Sequence, residues 1–169
     1  MTSDDALIEA EIPGLRRYAF ALTRDRGEAD DLVQDCLEHA VRGWSSRRAQ
    51  DPVRPWLFAI MHNVFVSGLR KRARRGPWAS LADLHSEPAV QARQEDPIRY
   101  RDVLKAIEQL TVDQRSVVLL VGVEEFSYTE AAGILGWPIG TVMSRLSRGR
   151  ERLRELLGEA PRPGLRRVK

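Results

Sequence analysis

One cysteine, three histidines and no alternating strand pattern are what this chain of 169 residues offers where many enzymes and secreted proteins offer more. The single thiol, Cys36, excludes an internal disulfide, and it falls at an apolar position of a helical pattern, where a small core residue is expected. His39, His62 and His85 are scattered, so no metal-ligand spacing exists. Neither a Walker-type nor a dinucleotide glycine motif occurs, and no acid, base and nucleophile form a set, so neither a cofactor nor an enzyme is expected. Apolar runs stay well short of a membrane span, and the opening MTSDDALIEA is acidic where a signal peptide would be basic. Cytoplasm is the expected location. With helical spacing throughout, the fold class expected is all-α: two small helical domains joined by a flexible linker, the second with a helix-turn-helix.

What is present is charge in blocks. The net +3 conceals +8 over residues 42–78 and +6 over 136–169, with acidic stretches before and between them. Two basic blocks suggest two contact surfaces for a polyanion, and the acidic ones a face for a different partner.

Residues 1–11 read as a short helix or frayed end, and Pro13 as the opening of the next helix, with Leu15, Tyr18 or Ala19, and Leu22 at helical spacing. Asp25 to Gly27 breaks it. From Glu28 an amphipathic helix places Ala29, Leu32 or Val33, Cys36 or Leu37, and Ala40 inward, with Asp31, Gln34, Asp35 and Glu38 on an acidic outer face. Composition alone favours a solvated side for that face. After a loop or short turn from Trp44 to Pro55, a long helix carries Trp56, Leu57, Ile60, Met61, Val64 and Phe65 on a broad apolar stripe and ends in LRKRARR before Gly76-Pro77. Aromatics followed by cations suit single-stranded nucleic acid, although most of these rings are expected in the core. Residues 77–97 lose the periodicity and read as a linker between domains 1–76 and 98–169.

In the second domain Thr111 with Gln114 caps the helix of RSVVLLVGV, and Ser127 with Glu130 caps another that starts at Tyr128 and ends at Gly136-Trp137-Pro138. Pro138 is read as the first residue of the last helix, which turns Val142, Leu146, Leu153 and Leu156 or Leu157 inward. Arg145, Arg148 and Arg152, with Thr141 and Ser144, fall on its other faces. Neither Arg145 nor Arg148 has an acid four residues before it, so nucleic-acid binding is favoured over an ordinary solvated face.

Taken in order, ADDLVQDCLEHA, RPWLFAIMHNVFVSGLRKRARR, LTVDQRSVVLL and FSYTEAAGILGWPIGTVMSRLSRGRERL resemble the extracytoplasmic-function group of bacterial sigma factors, of the sigma-70 class. The resemblance covers both domains. It implies RNA polymerase core, promoter DNA and an anti-sigma factor as partners. On the matching positions, Asp31, Leu32, Gln34 and Asp35 fall on the polymerase-binding helix. Trp56, Phe58, Asn63, Arg70, Lys71, Arg72 and Arg74 fall on the minus-10 and melting stretch, and Thr141, Ser144, Arg145, Ser147 and Arg148 on the minus-35 helix. Ser67, Met143 and Gly149 depart from the usual Asp, basic residue and Ala; the last should weaken its helix by ~1 kcal/mol unless packing needs a glycine. The rivals are a duplex-binding dimeric regulator, which leaves the first domain unexplained, and a sigma-like decoy for an anti-sigma factor, which would not need Asn63, Arg145 and Arg148.

Overall fold

A computed structural model describes residues 3–48, 50–75 and 97–158, and every regular element among them is helical. Apart from Pro97, the expected linker lies outside the described residues, as does the Gly76-Pro77 stop.

The first group holds α1 (Ser3–Thr23), α2 (Arg26–Gly43), one 3-10 turn (Trp44–Ser46) and α3 (Val53–Arg75). Pro13 does not open a second helix but sits inside α1. A mid-helix proline removes a hydrogen bond and costs about 3 kcal/mol; packing on both sides offsets it, with Ile8 buried before it and Leu15, Tyr18, Ala19 and Leu22 after it. The break comes at Arg24, held at φ 60°, and at Asp25, whose carboxylate accepts from the Glu28 amide at 2.8 Å and starts α2 at Arg26. α2 buries Ala29, Leu32, Val33, Cys36 and Ala40 as the stripe predicts. The Cys36 thiol donates to the Leu57 carbonyl at 3.5 Å, and burial pushes its pKa up to about 12.

α4 (Pro97–Glu108), α5 (Val112–Gly122), α6 (Tyr128–Leu135) and α7 (Ile139–Leu156) make the second group. The Thr111 hydroxyl accepts from the Gln114 amide at 3.3 Å, while the Gln114 side chain accepts from the Thr111 amide at 3.2 Å, so the expected capping box fixes the start of α5. α5 is central: Ser116, Val117, Val118, Leu119 and Leu120 are all buried, and it packs against α1, α6 and α7. The two groups also close on each other, α1 against α5 and α4 and α3 against α6. One apolar core therefore runs from Leu15 and Phe58 through Val117 and Leu120 to Val142 and Leu146.

Candidate nucleic-acid interface

The helix-turn-helix is built from local signals. Ser127 accepts from the Glu130 amide at 3.2 Å, and the Glu130 carboxylate accepts from the Ser127 hydroxyl at 2.7 Å and its amide at 2.8 Å. Those two bonds, the hydroxyl's first, hold the Glu130 carboxyl below the usual range. Gly136 ends α6 at φ 67°, a conformation that costs glycine nothing. Pro138 is then the N-cap of α7, and the helix begins at Ile139, one residue later than expected, because the Pro138 ψ of 144° is extended while its carbonyl already accepts from Thr141.

α7 turns Val142, Leu146 and Gly149 inward. A Cβ placed at Gly149 would lie 2.8 Å from Val118 Cγ2 and 3.4 Å from Gln114 Cβ, so α5 and α7 can approach this closely only with glycine there. Ser144, Ser147 and Arg148 are exposed and Thr141 is half-buried. Arg145 has no acid four residues before it on α7, but the fold supplies one: its Nη1 lies 3.0 Å from Asp113 Oδ2, and its guanidinium sits 4.1 Å over the Trp137 ring. The acid comes from the first turn of α5, which spacing along α7 could not show. Arg145 is thus held on the flank of the helix, whereas Arg148 points outward.

In the first group Asn63 and the basic end of α3, Arg70, Lys71, Arg72 and Arg74, are exposed; Arg72 also reaches Glu28 of α2 at 3.0 Å. Trp56 is half-buried, edge-on to Trp44 at 5.7 Å. Phe58 corrects the expectation of a ring available for strands. It is fully buried, 5.4 Å from the Tyr18 ring and 5.0 Å from that of Phe126. Leu32 is 7% exposed and lines the floor of the helix's outer groove, while Asp31, Gln34 and Asp35 project beside it. Asp31 and Asp35 border a groove against α3, and Gln34 borders one against α1.

Two family models match these groups in order: the Sigma2 domain of PhyR over residues 8–62, and sigma-70, region 4 over residues 100–153. EcfG of Rhodopseudomonas palustris (strain TIE-1), an ECF RNA polymerase sigma factor, is 38% identical over 159 residues, covering 91% of this chain and 83% of EcfG. The chain belongs to the ECF sigma factors. SigM of Mycobacterium tuberculosis is 36% identical over 154 residues, covering 91% of this sigma factor and 76% of SigM. Among solved structures, the sigma factor RpoE in complex with the anti-sigma factor NepR from Bartonella quintana matches at TM-score 0.83 and 36% identity, covering 94% of this chain and 98% of that one. CnrH in complex with the cytosolic domain of CnrY matches at TM-score 0.67 and 25% identity, covering 91% and 86%. The protein is therefore a transcription initiation factor, with region 4 as its promoter-recognition part. No helix among the described residues is long and apolar enough to cross a membrane.

Between the two groups of this sigma factor lies a charged centre that the sequence does not reveal. Glu124 is 2% exposed and accepts from Arg17 Nε at 3.2 Å and Nη2 at 3.0 Å, and from Arg54 Nη2 at 3.0 Å. Arg54 Nε is also 3.1 Å from Glu11, and its guanidinium lies over the rings of Phe126 and Phe58. The arginine partners of Glu124 are 107 and 70 residues away, so nothing local separates it from its exposed neighbour Glu125. Nearby His62 is 5% exposed and edge-on to Trp137 at 6.4 Å. Burial lowers its pKa to about 4, against the opposing pull of Asp113.

Proposed function

We propose that this ECF sigma factor meets core polymerase through the exposed ridge of Asp31, Gln34 and Asp35 on α2. Asn63 and the basic end of α3, Arg70, Lys71, Arg72 and Arg74, serve the minus-10 element, and the outward face of α7 reads the minus-35 element. On this reading residues 1–76 and 98–169 act as separate domains, connected by 77–97, in the cytoplasm. The basic end of α3 suits phosphate contact, which binds without reading sequence. An anti-sigma factor is a further partner, because the similar RpoE was captured with the anti-sigma factor NepR, and the similar CnrH with the cytosolic domain of CnrY.

The observation that carries this reading is the outward set Ser144, Ser147 and Arg148 on α7, inside the stretch that matches region 4. Arg148 is the base reader preferred here, since an arginine fork on a guanine is worth ~1–3 kcal/mol of discrimination and Arg145 is already engaged by Asp113 and Trp137. A second reading, a decoy that sequesters an anti-sigma factor, draws on the match of residues 8–62 to the Sigma2 domain of PhyR, a protein described as an anti-anti-sigma factor. One experiment separates them: transcription in vitro by core polymerase from a library of minus-35 variants. An initiation factor gives promoter-dependent transcripts, and Arg148→Ala flattens preference at one base position while Arg145→Ala does not. A decoy gives no transcript with any library member.

A further inference from the structure

We propose that Glu124 is a latch between the two helical groups, holding the factor in a closed form that cannot engage both promoter elements until the latch releases. The idea rests on the assignment of minus-10 and minus-35 surfaces to different groups. A compact chain of this length has a radius of gyration of about 15 Å. Elements centred about 25 base steps apart on B-form DNA lie roughly 85 Å from each other at 3.4 Å per step. The closed body cannot reach both.

The turn that carries Glu124 is shaped to present it. The amides of Glu124 and Phe126 donate to the Leu119 and Leu120 carbonyls, each at 3.0 Å, and Glu125 between them takes φ 58°, a left-handed conformation unfavourable to a residue with a side chain. Across the interface α1 makes room with Gly14, where a Cβ would lie 3.2 Å from Glu124 Oε2 and 3.4 Å from the Phe58 ring. The carboxylate then binds one arginine from α1 and one from α3, so two helices of the first group are tied to one turn of the second. A purely apolar contact would hold the groups together at least as well, because a buried ion cluster gains little over well-packed side chains. What charge adds is register, since a carboxylate shared by Arg17 and Arg54 fixes which turn of the second group meets α1 and α3. The Arg17 side chain is already 57% exposed and can regain its hydration when the groups part.

Ser116 supplies the test. It is fully buried on α5, the helix that packs against α1, and Tyr18 of α1 lies beside it. The thiol introduced by Ser116→Cys is titrated with a small aromatic disulfide in the free full-length chain, with native Cys36, sealed between α2 and α3, as the internal reference. Glu124→Gln and Arg17→Gln should each raise the labelling rate at position 116 by on the order of tenfold and leave Cys36 unchanged. The double variant should be no faster than the faster single one. In the Cys-free-at-116 background, both substitutions should also raise open-complex formation when the factor is limiting. An unchanged rate at position 116 overturns the latch, as does a parallel rise at Cys36, which would mean unfolding. Faster labelling with no gain in open complexes would leave a packing contact without an inhibitory role. Arg17→Gln, at an exposed side chain, keeps the test decisive if Glu124→Gln fails to fold. The labelling arm needs neither polymerase nor promoter, so its failure is distinct from failure of the proposed function.

Discussion

In one and the same closed body the two nucleic-acid surfaces are unequally available. α7 shows Ser144, Ser147 and Arg148 to solvent, whereas of the strand-binding residues expected on α3 Phe58 is sealed under Phe126, Trp56 is half-buried, and Asn63 and the basic end are exposed. The cause is the surface each group closes with. The second group closes through α4, α5, α6 and the turn before α6, away from the outer face of α7; the first closes with α1 and with α3, the helix that carries its own strand-binding stretch. On the proposed reading, duplex contact asks nothing of the second group, but strand capture asks the first to let go of its neighbour.

The largest effect expected from testing this asymmetry is at Phe58. Phe58→Ala should cost about 3–5 kcal/mol, as a fully buried phenylalanine does, and Trp56→Ala less than half of that, read from urea unfolding. Equal losses would mean that the two aromatics of α3 are equivalent and that the second group does not single out Phe58.

Acid should act next, through His62. Its folded pKa of about 4 lies below the ordinary 6.5, so between those values the opened or unfolded chain takes up a proton that the closed form refuses. Stability is then complete above pH ~6.5 and falls as pH drops towards 4, by at most about 3 kcal/mol. The urea midpoint of the native chain should decrease between pH 7.5 and 5 more than that of His62→Gln. The same decrease in both would take His62 out of the closure.

Smallest is a pair of glycines, one in each group. Gly68→Ala in α3 meets nothing within 4 Å and should stabilise by roughly 0.5–1 kcal/mol. Gly149→Ala in α7 gains the same propensity but pushes on Val118, and a net loss of about 1 kcal/mol is expected. Thermal melts with the same sign for both would show that α5 and α7 have slack.

The legible parts of the fold are those fixed within a few residues. Thr111 with Gln114 marked the start of α5, Ser127 with Glu130 and Gly136 the two ends of α6, and apolar spacing marked Val142 and Leu146. Pro13 was misread because distant packing, not local propensity, keeps α1 whole. At Leu32 the helical stripe pointed inward and the residue is buried, yet it still lines the groove beside Asp31 and Asp35. Phe58 lay outside the expected stripe of α3 and is buried because Phe126 arrives from the other group. The partners of Arg145 and Glu124 come from other helices, beyond anything that spacing records.

Both capping boxes lie in the second group, and their bonds close within four residues, before any tertiary contact exists. The unfolded chain should therefore carry helical starts at α5 and α6 that refolding can use at once. Synthesis runs the other way. The first group leaves the ribosome while Phe126 is still unmade, and at ~5–20 residues per second Phe58 waits on the order of 3–14 s for its cover. During that interval the nascent chain displays a large aromatic that the closed protein covers, which makes the first group of this factor the segment a chaperone would meet. Chaperone crosslinking to stalled chains should accordingly be strong at a length ending near residue 115 and weak once α6 has emerged.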